Sequence, residues 1–221
     1  MSQTPNAPET PASTPVPARS PQRFLLAGGV VAGPLFLGAG LLQGLTREGF
    51  DFGRNALSQL SLGSLGWIQI GVFLVTGALL IVGAVGTRHV LRGAPGGTWA
   101  PRLIGVFGAS FLVAGVFTAD PGAGFPVDTP ETAVPVLSAH GAVHMFAGMI
   151  GYLALCATFL ILARYFSARQ ERRWALACRL VPVAVIAGFA ASGASVAAFT
   201  AGAAIGLLWL SAVLVHLSRR P

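Results

Sequence analysis

The sequence predicts an all-α fold: a six-helix transmembrane bundle behind a disordered N-terminal tail. Three observations carry that prediction. Charged residues make up only 10% of the chain while 54% is hydrophobic, against roughly 25% charged in a soluble domain. The apolar runs reach roughly 20 residues, the length a helix needs to cross a hydrocarbon core; barrel strands would instead alternate over about 10 positions. Finally, the loops between those runs alternate between basic and neutral or acidic.

Met1 to Pro21 is rich in Pro, Ser, Thr and Ala and has little apolar surface to bury. Residues 1–22 therefore read as a disordered cytoplasmic tail and residues 23–218 as a six-span transmembrane domain. The tail is too long and too neutral for a signal-peptide n-region, so the first span is retained as an anchor. The spans fall at about Phe24–Leu45, Gly66–Thr87, Pro101–Ala119, Ser138–Ala163, Trp174–Ala191 and Ala194–Leu217. The second loop holds Arg88, Arg92 and Arg102 without an acid, and the third holds Asp120, Asp128 and Glu131 without a base. The fourth has Arg164, Arg169, Arg172 and Arg173 against Glu171, and Arg219 and Arg220 close the chain. The positive-inside rule then expects a plasma-membrane protein with both termini in the cytoplasm.

The same topology accounts for the net charge of +7, so no nucleic-acid partner is implied; the expected partner is membrane lipid. Cys156 and Cys178 lack metal-ligand spacing and read as small buried thiols. Gly29 with Gly33 and Gly202 with Gly206 have the small-xxx-small spacing that lets helices approach closely, and Gly148 with Gly151 puts two more small residues on one helical face. Pro34 and Pro182 fall inside spans.

One polar stretch stands apart, from Phe50 to Gln69, between spans one and two. It supplies a structural polar cluster of Asp51, Arg54, Asn55, Ser58, Gln59 and Gln69. Asp51 is expected to cap a short amphipathic helix from Phe52 onward, lying on the outer interface. Trp67 anchors span two at headgroup level. Gln43, Asp120, His140 and His144 map to the same level. Spacing of i, i+4 places both imidazoles on one helical face, about 6 Å of rise apart. With Asp120 they offer three ligands for Zn²⁺ and an open position for water. Ser58, Asp120, His140 and His144 are thus the candidate catalytic residues. They form an incomplete version of ceramidase-like chemistry, which uses a third histidine; His89 and His216 belong to the opposite side. The bland alternative has His140 at the interface and His144 hydrogen-bonded within the bundle. No cofactor is expected on that alternative. Arg54 is a candidate clamp on Asp120 or Asp51.

The deep polar residues Thr76, Ser110, Thr158, Ser192, Thr200 and Ser211 are not ionisable, which argues against ion-coupled transport. The expected function is that of a multi-pass membrane protein, lipid-interacting or scaffolding, with an extracytoplasmic polar cluster. The alternative is a membrane-embedded metal-dependent hydrolase using Asp120, His140 and His144. Ser58, Asn55, Asp120, His140 and His144 are expected to approach one another.

The block Arg54-Asn55-Ala56-Leu57-Ser58-Gln59-Leu60-Ser61, followed by Gly66-Trp67-Ile68-Gln69, Phe73 and Gly77, resembles the bacterial integral-membrane family called domain of unknown function 998. Asp120-Pro121, Gly124-Phe125-Pro126 and the His140/His144 region resemble the same family. The resemblance implies a six-span fold and transfers no catalytic residue. One departure is the apolar Ala203-Ala204-Ile205-Gly206-Leu207, where the family pattern implies a polar entry to the last span.

Overall fold

Apolar sequence with few charges folds here into six long helices, α1 (Pro21–Thr46), α2 (Gly66–Val90), α3 (Trp99–Val116), α4 (Ala139–Ala168), α5 (Arg172–Ala190) and α6 (Val196–Ser218). The computed structural model describes residues 21–133 and 136–220. Of the expected tail, residues 1–22, the first twenty lie outside the described residues, and Pro21 and Gln22 open α1. Each helix is long and apolar enough to cross a membrane. Pro34 and Pro182 lie inside α1 and α5.

Consecutive helices pack against one another, and α6 returns to pack on α1, closing the bundle. Glycines set the closest approaches. A Cβ on Gly83 would lie 2.7 Å from the Gly29 Cα, and one on Gly33 would lie 2.9 Å from the Leu207 carbonyl oxygen. Gly188 and Gly202 face each other in the same way, with a Gly188 Cβ 3.0 Å from the Gly202 Cα. These contacts give the small-residue spacing its physical role. Gly148 differs, because nothing lies within 4 Å of its Cβ position.

The bundle has two ends. The α2–α3 and α4–α5 loops share the terminal end with both helix-bundle termini; the α1–α2, α3–α4 and α5–α6 loops share the other, here called the lid end. Near the terminal end the interior is filled by Leu155, Phe159, Leu162, Phe166, Leu210 and Leu214, each at most 1% exposed. Cys156 and Cys178 are buried and free.

At the terminal end Glu171 receives hydrogen bonds from two groups, His216 Nε2 and Arg220 Nη2, each at 2.6 Å. Arg220 also donates to the Tyr165 hydroxyl. Trp174 stacks on His216, with ring centroids 4.1 Å apart, and on Trp209 at 5.1 Å. Burial alone would raise the Glu171 carboxyl; the His216 hydrogen bond and the Arg220 charge outweigh it, and the group sits below the ordinary 4.5. This clasp ties the end of α6 to the α4–α5 loop.

Candidate functional site

The α1–α2 connection does not lie flat on the bundle as an amphipathic helix. Its regular part is a single 3₁₀ turn, Leu57–Ser61, preceded by Ala56. Asp51 makes a local turn instead of a helix cap, its carboxylate accepting from the Gly53 N–H at 2.7 Å. Asn55 is 1% exposed and Gln59 is 8% exposed, so the amides face inward. Leu57 and Leu60 are buried too. The expectation of an amphipathic helix lying on the outer interface is corrected by long-range partners that helical spacing does not reveal.

Those partners are backbone groups of the α3–α4 loop. Asn55 Nδ2 donates to the Gly122 and Ala123 carbonyls, both at 3.3 Å, while its Oδ1 accepts from Asp51 N–H at 3.0 Å. Gln59 Nε2 donates to the carbonyls of Asp120 at 3.3 Å and Gly122 at 3.5 Å. Gln59 Oε1 accepts from the Ala56 N–H. Two primary amides thus knit two loops into one lid, because each offers two donors and an acceptor to backbone groups that lack regular partners. Arg47 reinforces the lid by donating to the carbonyls of Leu60 and Leu62 and stacking over Phe125 at 5.0 Å. Burial lowers its pKa from the ordinary value. Arg54 pairs with Asp51 at 3.3 Å and Glu131 at 3.4 Å; its side-chain partners do not include Asp120. Beneath the lid, Gln43 Nε2 donates to Gln69 Oε1 at 2.6 Å, joining buried positions of α1 and α2.

The end of α3 and the start of α4 cap each other. The last carbonyls of a helix lack intrahelical donors, and His144 Nδ1 lies 3.1 Å from the Ala114 oxygen and 2.8 Å from the Phe117 oxygen. In return the Asp120 carboxylate accepts from Ser138, at 3.1 Å from its N–H and through its hydroxyl, and Ser138 Oγ accepts from the Gly141 N–H at 3.0 Å. An anion at a helix N-terminus is favoured by the helix dipole. Position 141 must be glycine for this approach, because a Cβ there would lie 1.8 Å from Asp120 Oδ2.

Under the lid lies a cavity of about 680 Å³, within the range of small-molecule sites. Its walls carry one aromatic ring from every helix: Phe36, Phe73, Phe111, Tyr152, Phe189 and Phe199. With Phe107 they form an unbroken chain of ring contacts from α1 to α6, each neighbouring pair 4.8–5.6 Å apart. Arg54, Ser58, Gln59 and Asp120 line the lid side, and Ser192 and Gly193 belong to the α5–α6 turn.

Of the expected site residues, Ser58, Asp120 and His144 line this one cavity, and Asn55 is bonded beside it. His140 does not join them. It is exposed and packs on Phe117 at 5.2 Å, while His144 is 9% exposed. The i, i+4 face is shared, but it crosses from the bundle surface to its interior. Among the described residues no group of three His, Cys, Asp or Glu side chains is placed to hold a metal ion. Nor is a Ser–His–Asp relay wired, since His144 Nδ1 meets carbonyls and Asp120 meets Ser138.

Residues 30–216 match the family described as Protein of unknown function (DUF998). The chain belongs to the DUF998 family. No curated protein and no solved structure matches it. The match extends from within α1 nearly to the end of α6, so this DUF998 chain has the lid, the cavity and most of the terminal clasp inside the family region.

Proposed function

We propose that this DUF998 protein binds a membrane lipid in the cavity beneath its lid, with an apolar chain against the aromatic walls and a polar head toward the polar groups at the lid end. The carrying observation is a hollow of about 680 Å³ with apolar walls and polar groups at one end. A lipid has that same division. The residues lining it on α4 extend from Gly141 to Tyr152, about 17 Å of helix rise. That is deep enough for an acyl chain entering from headgroup level in a hydrocarbon core about 30 Å thick.

We place the protein in a bacterial plasma membrane with the lid outside and both termini in the cytoplasm. The lid-end loops carry Glu48, Asp51, Asp120, Asp128 and Glu131 against Arg47 and Arg54, whereas the terminal-end loops are dominated by arginine. A membrane-impermeant thiol reagent is expected to label Glu48→Cys in whole cells and Arg92→Cys only after lysis; the reverse pattern overturns the orientation.

Lipid binding is tested by native mass spectrometry of the full chain released from detergent. One retained lipid per chain is expected. Gly148→Trp fills the hollow from a position whose Cβ meets nothing within 4 Å, and it should abolish retention while the chain stays folded. Equal retention by Gly148→Trp sinks the proposal. Metal-dependent hydrolysis is the second reading, favoured only by Ser58, Asp120 and His144 sharing the cavity; elemental analysis showing no zinc in active, purified protein removes it.

A further inference from the structure

The polar groups fixed on the cavity wall have one hydrogen-bonding sense. His144 Nδ1 lies against two carbonyl oxygens, which only accept, so this nitrogen carries the proton. In the neutral ring Nε2 is then a lone-pair acceptor. It has no hydrogen-bond partner among the described residues, on a side chain that is 9% exposed and lines the cavity. Ser110, 7% exposed, spends its hydroxyl proton on the Phe107 carbonyl at 2.7 Å. Its oxygen therefore keeps only acceptor capacity, on a residue that also lines the cavity. Ser110 and Ala114, whose carbonyl holds His144, are one helical turn apart, about 6 Å along α3.

At the mouth, the Asp120 carboxylate adds acceptor capacity beyond its two bonds to Ser138. The Gln59 amide donors already serve two backbone carbonyls, and Arg54 is drawn to Asp51 and Glu131. The hydroxyls of Ser58, Tyr152, Ser192 and Thr200, which also line the cavity, can rotate to either role. An acceptor-lined wall beside a carboxylate disfavours an anionic head and leaves buried lone pairs for a donor to satisfy.

We infer that the lipid bound here carries an uncharged hydroxyl head, and that His144 Nε2, supported by Ser110 Oγ, is its hydrogen-bond acceptor inside the cavity. This rests on the lipid-binding reading. An acylglycerol and a long-chain prenol both present that chemistry.

The test uses the full chain in lipid nanodiscs and three photoreactive probes with the same diazirine-bearing alkyl tail, ending in a primary alcohol, its methyl ether or a carboxylate. Labelling of cavity peptides above the Gly148→Trp background is read by mass spectrometry. The alcohol should label the unmodified chain roughly three- to tenfold more than the ether, the worth of one net hydrogen bond. His144→Phe should bring alcohol and ether level, while His144→Gln, which keeps an acceptor, should retain part of the difference. Ether labelling equal to the alcohol, or carboxylate labelling above it, overturns the hydroxyl inference and leaves lipid binding standing. Labelling by none of the three above background overturns both.

Discussion

The two ends of the bundle use polar residues in opposite ways. At the terminal end, charged side chains bind one another: Glu171 holds His216 and Arg220, and aromatic rings close over them. The space between helices there is filled with Leu and Phe. At the lid end the ion pairs of Arg54 with Asp51 and Glu131 are exposed, and the buried Asn55, Gln59 and His144 bind backbone carbonyls of the next loop or helix. Their side chains cross from element to element, and a cavity remains beneath them. A side-chain clasp fixes a packed end, whereas backbone capping roofs a hollow one without filling it.

Breaking the roof should cost most. Asn55→Ala removes four hydrogen bonds of one buried side chain and leaves the Ala123 carbonyl without its donor. A loss of about 3 kcal/mol is expected, read as a lowered thermal midpoint in detergent. Loss of bound lipid should accompany it, because the lid forms one side of the cavity.

Breaking the clasp should cost less and leave lipid retention intact. Glu171→Gln removes a charge paired with partly exposed partners, for about 1–2 kcal/mol. The pH dependence has a fixed sign. Glu171 is held below its ordinary value of 4.5, so its contribution is complete above that value and is lost as pH falls through the lower, folded one. Thermal midpoints of the unmodified chain should therefore drop below pH 4.5 more steeply than those of Glu171→Gln. Parallel curves would show that the clasp carries no such linkage.

The smallest effect belongs to His140→Ala. An exposed ring packed on Phe117 should matter by no more than about 0.5 kcal/mol and leave lipid retention unchanged. A large loss would restore a shared role with His144 and blur the contrast between surface and cavity.

Six spans are legible in the sequence because hydropathy and length dictate them within a few residues. The departures are local: α3 stops at Val116 rather than Ala119, its last carbonyls going to His144, and α4 runs on to Ala168. The common level of Ser58, Asp120 and His144 is legible too, from loop alternation. The inward turn of Asn55 and Gln59 is not, since their partners are backbone carbonyls more than sixty residues away. Backbone acceptors leave no mark on sequence. Arg47 is missed for the same reason. The clasp had one visible signal, a lone acid, Glu171, in an otherwise basic loop.

Closure of α6 onto α1 sets an order of assembly. Helices emerge from the ribosome in sequence, and Phe199, Thr200, Ala203 and Leu207 of the cavity wall belong to α6. Until α6 inserts, the nascent protein has an open trough facing neighbouring lipids where the finished protein has a chamber. On the lipid-binding reading, biogenesis and loading are coupled: a lipid resting in that trough is covered as the last helix docks, and the first occupant comes from the membrane in which the chain is made.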